Sequence, residues 1–201
     1  AIAAALVLQP KFILADEPVS MLDVSIRTGI LNLMTELQKK FGLTYLFITH
    51  DLGVARTFSD RIGIMYNGKI VELGPAEEII RRPLSPYAVA LTAAVPRADP
   101  LRRDNPVLLK GEVPSLISPP SGCRLHPRCP LAREVCLHKE PEFVEARKDH
   151  YVACHAVAEG WSFETLLHGT EHRLESSLDG HLKAGASELG STVSVQNVHD
   201  K

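Results

Sequence analysis

The sequence predicts an α/β fold with parallel strands, and three stretches carry that prediction. Phe12-Ile13-Leu14-Ala15 is a short apolar run closed by Asp16-Glu17-Pro18. Such a run suits a buried strand covered on both faces, and Pro18 lacks the amide needed to continue it. Thr44-Tyr45-Leu46-Phe47-Ile48-Thr49 is a second run, β-branched and aromatic, closed by His50-Asp51. Between them, residues 23–41 space Ile26, Ile30, Leu33, Met34, Leu37 and Phe41 by threes and fours, with Arg27, Asn32, Glu36 and Lys39 interleaved. That is the period of an amphipathic helix. Strand, helix and strand of this length form a right-handed crossover that brings both strand ends to one edge of a sheet.

The remaining elements follow in order. Residues 1–8 are apolar and Ala-rich, the composition of a helix interior, with no capping residue ahead of them, so the sequence reads as cut from a longer one. Pro10 stops that helix and Lys11 begins the first strand. Asp51 is placed to cap a short helix through Leu52, Val54, Ala55 and Phe58. Residues 61–66 and 69–73 read as strands joined at Asn67-Gly68, a pair that tolerates the positive φ of a type I′ turn. Gly74-Pro75-Ala76-Glu77-Glu78-Ile79-Ile80 opens a further helix, with proline and acids near its start. Residues 86–95 suit one more helix, and residues 96–122, with six prolines, an irregular connector. Residues 161–174 could form a short amphipathic helix through Phe163, Leu166 and Leu167. Residues 176–201, rich in Ser and Gly, read as disordered and carry no assigned role.

Composition bounds the function. With 201 residues, 45% of them apolar, the chain can bury one ordinary core and a smaller second one. The longest apolar run, residues 1–8, falls far short of the ~20 residues of a spanning helix and lacks the features of a signal peptide. A net charge of −2 provides no general attraction to nucleic acid or anionic lipid.

The chemistry gathers at the two strand ends. The crossover should bring Asp16, Glu17 and His50 together, and side-chain alternation turns the two consecutive carboxylates to different tasks. One carboxylate for a hydrated Mg²⁺, a second to polarise water, and an imidazole form a set suited to cutting a phosphoanhydride. The competing reading is two surface acids that merely close a core strand.

With these residues in view, the sequence resembles an ABC-transporter ATPase. Leu14-Ala15-Asp16-Glu17-Pro18 is similar to its Walker B motif and following glutamate, Ser20-Met21-Leu22-Asp23 to its D-loop, and Ile48-Thr49-His50-Asp51 to its switch histidine. The resemblance implies the latter portion of a RecA-like nucleotide-binding core that binds ATP and Mg²⁺. Asp16 would help hold the metal, Glu17 act on the attacking water and His50 contact the γ-phosphate. Ser20 and Asp23 would lie at the nucleotide interface, with Asp23 linking the two sites of a dimer. Residues 1–8 resemble the helix after the signature motif, yet the sequence contains neither a G-x-x-x-x-G-K-[ST] loop nor Leu-Ser-Gly-Gly-Gln. Pro86-Tyr87, Gly111-Glu112-Val113-Pro114-Ser115 and Pro119-Pro120-Ser121-Gly122-Cys123 are similar to the C-terminal extension of oligopeptide/dipeptide importers.

All four cysteines, Cys123, Cys129, Cys136 and Cys154, lie in that extension, separated by five, six and seventeen residues. In a cytosolic ATPase redox poise disfavours disulfides, and the C-x₂₋₄-C knuckle usual for structural zinc is absent. The segment resembles a cluster-bearing extension, which implies a [4Fe-4S] cluster; zinc, and free or paired thiols, stay open as alternatives. His126, His138, His150 and His155 lie nearby, but four cysteines suffice as ligands.

The expectation is therefore threefold: residues 1–82 as the C-terminal part of the ATPase core, 83–160 as an irregular four-cysteine, metal-binding extension, and 161–201 as a short helix and disordered tail. The implied activity is ATP hydrolysis powering import of di- or oligopeptides. The implied partners are a second ATPase subunit, two transmembrane permeases and, indirectly, an extracytoplasmic peptide-binding protein, with no nucleic acid. The implied place is the cytoplasmic face of the membrane. The alternatives are a non-catalytic metal-binding or interaction module, and an ABC ATPase of translation or repair.

Overall fold

A computed structural model describes residues 2–95, 109–160 and 192–196. In chain order the elements are α1 (Ile2–Leu6), β1 (Phe12–Asp16), α2 (Val24–Phe41), β2 (Thr44–Thr49), α3 (Leu52–Phe58), β3 (Arg61–Tyr66), β4 (Lys69–Pro75), α4 (Ala76–Arg81), α5 (Pro86–Ala94), α6 (Glu134–His138), β5 (Phe143–Arg147), β6 (His150–Ala153), α7 (His155–Ala158) and β7 (Thr192–Gln196). One sheet runs in the order β1-β2-β7-β3-β4-β6-β5.

The crossover forms as the apolar periods require. β1 and β2 pair in parallel from Phe12↔Thr44 to Asp16↔Ile48. Helix α2 links them, started by the Asp23 carboxylate accepting from the Ile26 amide and stopped at Gly42, whose φ of 63° only a residue without Cβ adopts readily. Parallel pairing stops at that pair among the described residues. The expected parallel sheet is otherwise antiparallel, because Asn67-Gly68 (φ 45° and 76°) turns β3 straight back into β4.

Two cores flank the sheet. One joins Leu31 and Met34 of α2 to Ala15, Tyr45, Phe47 and Val54. The other joins β3 to α4 and α5 through Ile62, Ile64, Ile79, Tyr87 and Leu91. Ile62, Ile64 and Ile79 are fully buried, each contributing about 1.5–3 kcal/mol by removal from water. Tyr66 and Tyr87 pack ring on ring at 4.7 Å in this second core.

Three expectations need correction. β1 is covered on one face only: α2 shields the Ala15 side, while Phe12 (54% exposed) and Leu14 (56%) face outward. The buried line of α2 is Leu31, Met34 and Gln38, so Ile26, Leu33 and Phe41 are exposed; with one face of β1 bare, helical spacing alone did not decide which side of α2 turns inward. Finally, part of the tail read as disordered is a strand. Thr192-Val193-Ser194-Val195-Gln196 alternates with β-branched residues and finds partner edges on both β2 and β3.

The extension is more regular than expected, with α6, α7 and the β5–β6 hairpin. β6 pairs with β4 at Glu72↔Val152 and Leu73↔Tyr151, carrying the sheet across the expected boundary at residue 82. The helix expected over residues 161–174, and residues 96–108 of the connector, lie outside the described residues.

Candidate functional site

The site is built where β1 and β2 end side by side. Asp16 closes β1 opposite Ile48. Glu17 then turns the chain with a φ of 43°, a left-handed conformation that costs a non-glycine residue about 1–3 kcal/mol and collects at functional sites. Its amide is held by the Ile48 carbonyl at 2.9 Å. From the end of β2 the His50 Nδ1 reaches Glu17 Oε1 at 3.1 Å. A carboxylate only accepts, so Nδ1 carries the proton in this bond. Both side chains are about half exposed, 51% and 48%, so the pair contributes little to stability, on the order of 0–1 kcal/mol.

Neighbouring residues hold this edge in place. Ser20 donates its hydroxyl to the Glu17 carbonyl at 3.0 Å, closing the loop after β1. Asp51 accepts from the Gly53 and Val54 amides and thereby starts α3, and it also meets Arg27 of α2 at 3.3 Å. Of the five residues expected to act at nucleotide, Glu17 and His50 touch, Asp16 adjoins them, and Ser20 is tied to Glu17. Asp23 stands apart as the cap of α2, three residues further along. The strand ends thus present the Glu17 carboxylate in contact with the His50 imidazole on an open edge, with Asp16 one residue before Glu17.

The four cysteines line one cavity of about 40 Å³, walled also by Val71, Leu125, Leu131 and Ala156. They come from the 123–129 segment, α6 and the start of α7, and none is disulfide-bonded. Burial pushes the Cys129 thiol up to about 12, with weaker contributions from the other cysteines. Burial likewise raises Cys123 and Cys154. Among the described residues, however, no three His, Cys, Asp or Glu side chains are arranged to hold a metal ion. Two of the four nearby histidines, His126 and His155, also line this cavity, each with one ring nitrogen on a backbone carbonyl (Cys123 and Lys139), whereas His138 meets Glu134 and His150 meets Glu72.

That last pair escaped the sequence reading. Glu72 of β4 is fully buried and accepts from the Leu84 amide (2.8 Å), the Ser85 amide (2.7 Å) and His150 Nε2 (2.8 Å). It thus joins the core strand, the start of α5 and β6 of the extension in one contact. The available signal was a lone carboxylate between Val71 and Leu73 in an apolar strand.

Residues 71–136 match the oligopeptide/dipeptide transporter C-terminal region. Three similar proteins extend the match. The oligopeptide transport ATP-binding protein AppF of Bacillus subtilis (strain 168) is 52% identical over 157 residues, 77% of this chain and 47% of that protein. The probable peptide ABC transporter ATP-binding protein y4tS of Sinorhizobium fredii is 48% identical over 157 residues, 78% of this chain and 44% of that protein. The putative oligopeptide transport ATP-binding protein YkfD of B. subtilis is 47% identical over 156 residues, 77% of this chain and 47% of that protein. The chain spans about half the length of the curated relatives it matches. Residues 71–136 thus carry the oligopeptide/dipeptide transporter C-terminal region, and the chain is homologous to the C-terminal part of peptide ABC transporter ATP-binding subunits.

Proposed function

We propose that this chain supplies the hydrolytic edge of the ATP-binding subunit that powers an ABC importer of di- or oligopeptides. The Glu17–His50 contact at the ends of adjacent parallel strands, directly after Asp16, carries the reading. Asp16 helps hold Mg²⁺, Glu17 orients and polarises the attacking water, and His50, fixed by its bond to Glu17, contacts the γ-phosphate. Bound Mg-ATP brings the phosphoanhydride and the charge-neutralising cation. Ser20 and Asp23 serve the interface with a second ATPase subunit. The working assembly adds two permeases and an extracytoplasmic peptide-binding protein, on the cytoplasmic face of the membrane. Within it, residues 1–82 act as core, 83–160 as extension and 161–201 as tail.

The sequence has no phosphate-binding loop, and positioning is most of phosphoryl-transfer catalysis, so the 201-residue chain by itself should release little phosphate from Mg-ATP. The decisive experiment joins it to a phosphate-binding half. There Glu17→Gln should cut turnover by about 10²-fold or more while ATP still binds, since the amide keeps the shape but not the basicity. Turnover within about 2-fold of the parent would refute the role given to Glu17.

For the extension we propose a [4Fe-4S] cluster on Cys123, Cys129, Cys136 and Cys154, with zinc as the alternative metal. The support is the donor set: four thiols from three segments lining one apolar cavity. The cluster's role is structural, tying together a segment with little core of its own. Anaerobic purification should yield a brown protein that bleaches on oxidation, and Cys→Ser at any of the four should remove most of the iron. A colourless preparation with one zinc, or none, would refute the cluster.

A further inference from the structure

Arg27, near the start of α2, spans two segments of the site with one guanidinium. Its Nη1 donates to Asp51 Oδ2 and its Nη2 to the Leu22 carbonyl, each at 3.3 Å. Leu22 lies in the loop after β1, one residue ahead of Asp23, and Asp51 follows His50 directly. The loop is itself knit together: the Ser20 amide and hydroxyl both donate to the Glu17 carbonyl, and the Leu22 amide donates to the Val19 carbonyl. On the other side the His50 ring returns to the Glu17 carboxylate at 3.1 Å. These contacts close a ring that runs from Glu17 through the loop to Arg27, across to Asp51 and His50, and back to Glu17.

Stability gives Arg27 little reason to stand there. The side chains of the Arg27–Asp51 pair are 28% and 39% exposed, and ion pairs this open to water stabilise weakly. The Arg27 Nε, meanwhile, is buried with no hydrogen-bond partner among the described residues, which is costly. What the fork supplies is geometry, since a planar guanidinium holds two acceptors in a fixed relation and a lysine ammonium on its flexible stem does not. Asp51 divides its oxygens to match: Oδ1 accepts from the Gly53 and Val54 amides and starts α3, leaving Oδ2 for Arg27. We propose that Arg27 is a positioning residue for hydrolysis, holding the Ser20–Asp23 loop and the His50 arm in one register so that the imidazole stays on the Glu17 carboxylate. This role rests on the hydrolytic assignment of Glu17 and His50 above, and adds to it a residue that acts through His50.

The test uses this chain joined to a phosphate-binding half, with steady-state kinetics referred to the fraction of chains that bind ATP. Arg27→Ala should lower kcat at least about tenfold and leave KM for ATP within about 2-fold, because it misplaces a reacting group and removes no nucleotide contact. Arg27→Lys keeps the charge but cannot grip both acceptors, so its kcat should stay below about half that of the parent. Asp51→Asn keeps the Oδ1 cap but loses the acceptor, and should slow turnover as Arg27→Ala does. The double variant should then match either single within about 2-fold, where independent effects would multiply. Any of four results would overturn the proposal: Arg27→Ala within about 2-fold of the parent in kcat, full recovery in Arg27→Lys, multiplied losses in the double variant, or a raised KM at unchanged kcat. Glu17→Gln in the same subunit keeps two failures apart. If it is slowed about 10²-fold while Arg27→Ala is not, the positioning role alone falls; if it turns over as the parent does, the hydrolytic assignment falls and the positioning role with it.

Discussion

Replacing Glu72 with alanine isolates what couples β4 and the start of α5 to β6. The carboxylate is fully buried and accepts three hydrogen bonds, from the Leu84 and Ser85 amides and from His150 Nε2, all between 2.7 and 2.8 Å. Alanine removes the acceptors but leaves the three donors enclosed. Each stranded buried donor costs about 1–3 kcal/mol, and removing the shared acceptor of a buried hydrogen-bond network is among the costlier single changes. Since the three share one carboxylate they are not additive, and about 3–5 kcal/mol is the expected loss. For a chain of this size that lowers Tm by about 6–20 °C. His150→Ala should cost less, about 2–3 kcal/mol, because the carboxylate keeps both backbone donors. Urea denaturation of both variants, with the double variant to complete the cycle, measures the coupling. The β4–β6 pairing at Glu72↔Val152 should loosen with the α5 start in the same transition. A Glu72→Ala chain within about 1 kcal/mol of the parent would refute the view that this contact holds the extension to the core.

Three further outcomes follow from the same geometry. Gly122→Ala should loosen the cysteine segment by several kcal/mol, roughly 3 or more, because φ is +62° and an added Cβ would sit 2.5 Å from the Cys136 carbonyl oxygen; limited proteolysis around residues 120–137 reads this directly. Gly74→Ala should cost about 1–3 kcal/mol, its Cβ falling 2.9 Å from the His150 ring, measured by denaturant midpoint. In the metal-free chain, stability should fall as pH rises above the ordinary thiol value near 9.0 toward about 12, the Cys129 value. In that window the unfolded thiol has lost its proton and the buried one has not, so the unfolded state binds fewer protons and the slope is negative. Denaturation at about pH 8 and about pH 10.5 should show the fall, and Cys129→Ala should reduce it.

The sequence by itself determined the local events. Strand ends at Asp16 and Thr49, the cap at Asp51 and the Asn67-Gly68 turn are each written in a few neighbouring residues, because caps and turns are satisfied within one or two turns of chain. The βαβ crossover was legible too, and with it the meeting of Glu17 and His50, since the handedness of the connection leaves one way to bring those ends together. Only the tertiary structure decided the rest. Which face of α2 is buried depended on a sheet covered on one side, so Gln38 went in and Leu33 stayed out. Thr192–Gln196 became a strand because two distant edges needed a partner, a demand invisible in its own composition. Glu72 and His150, 78 positions apart, became one buried contact for the same reason: a carboxylate is buried only where the fold brings donors to it, and those donors come from two separate segments, Leu84-Ser85 and β6.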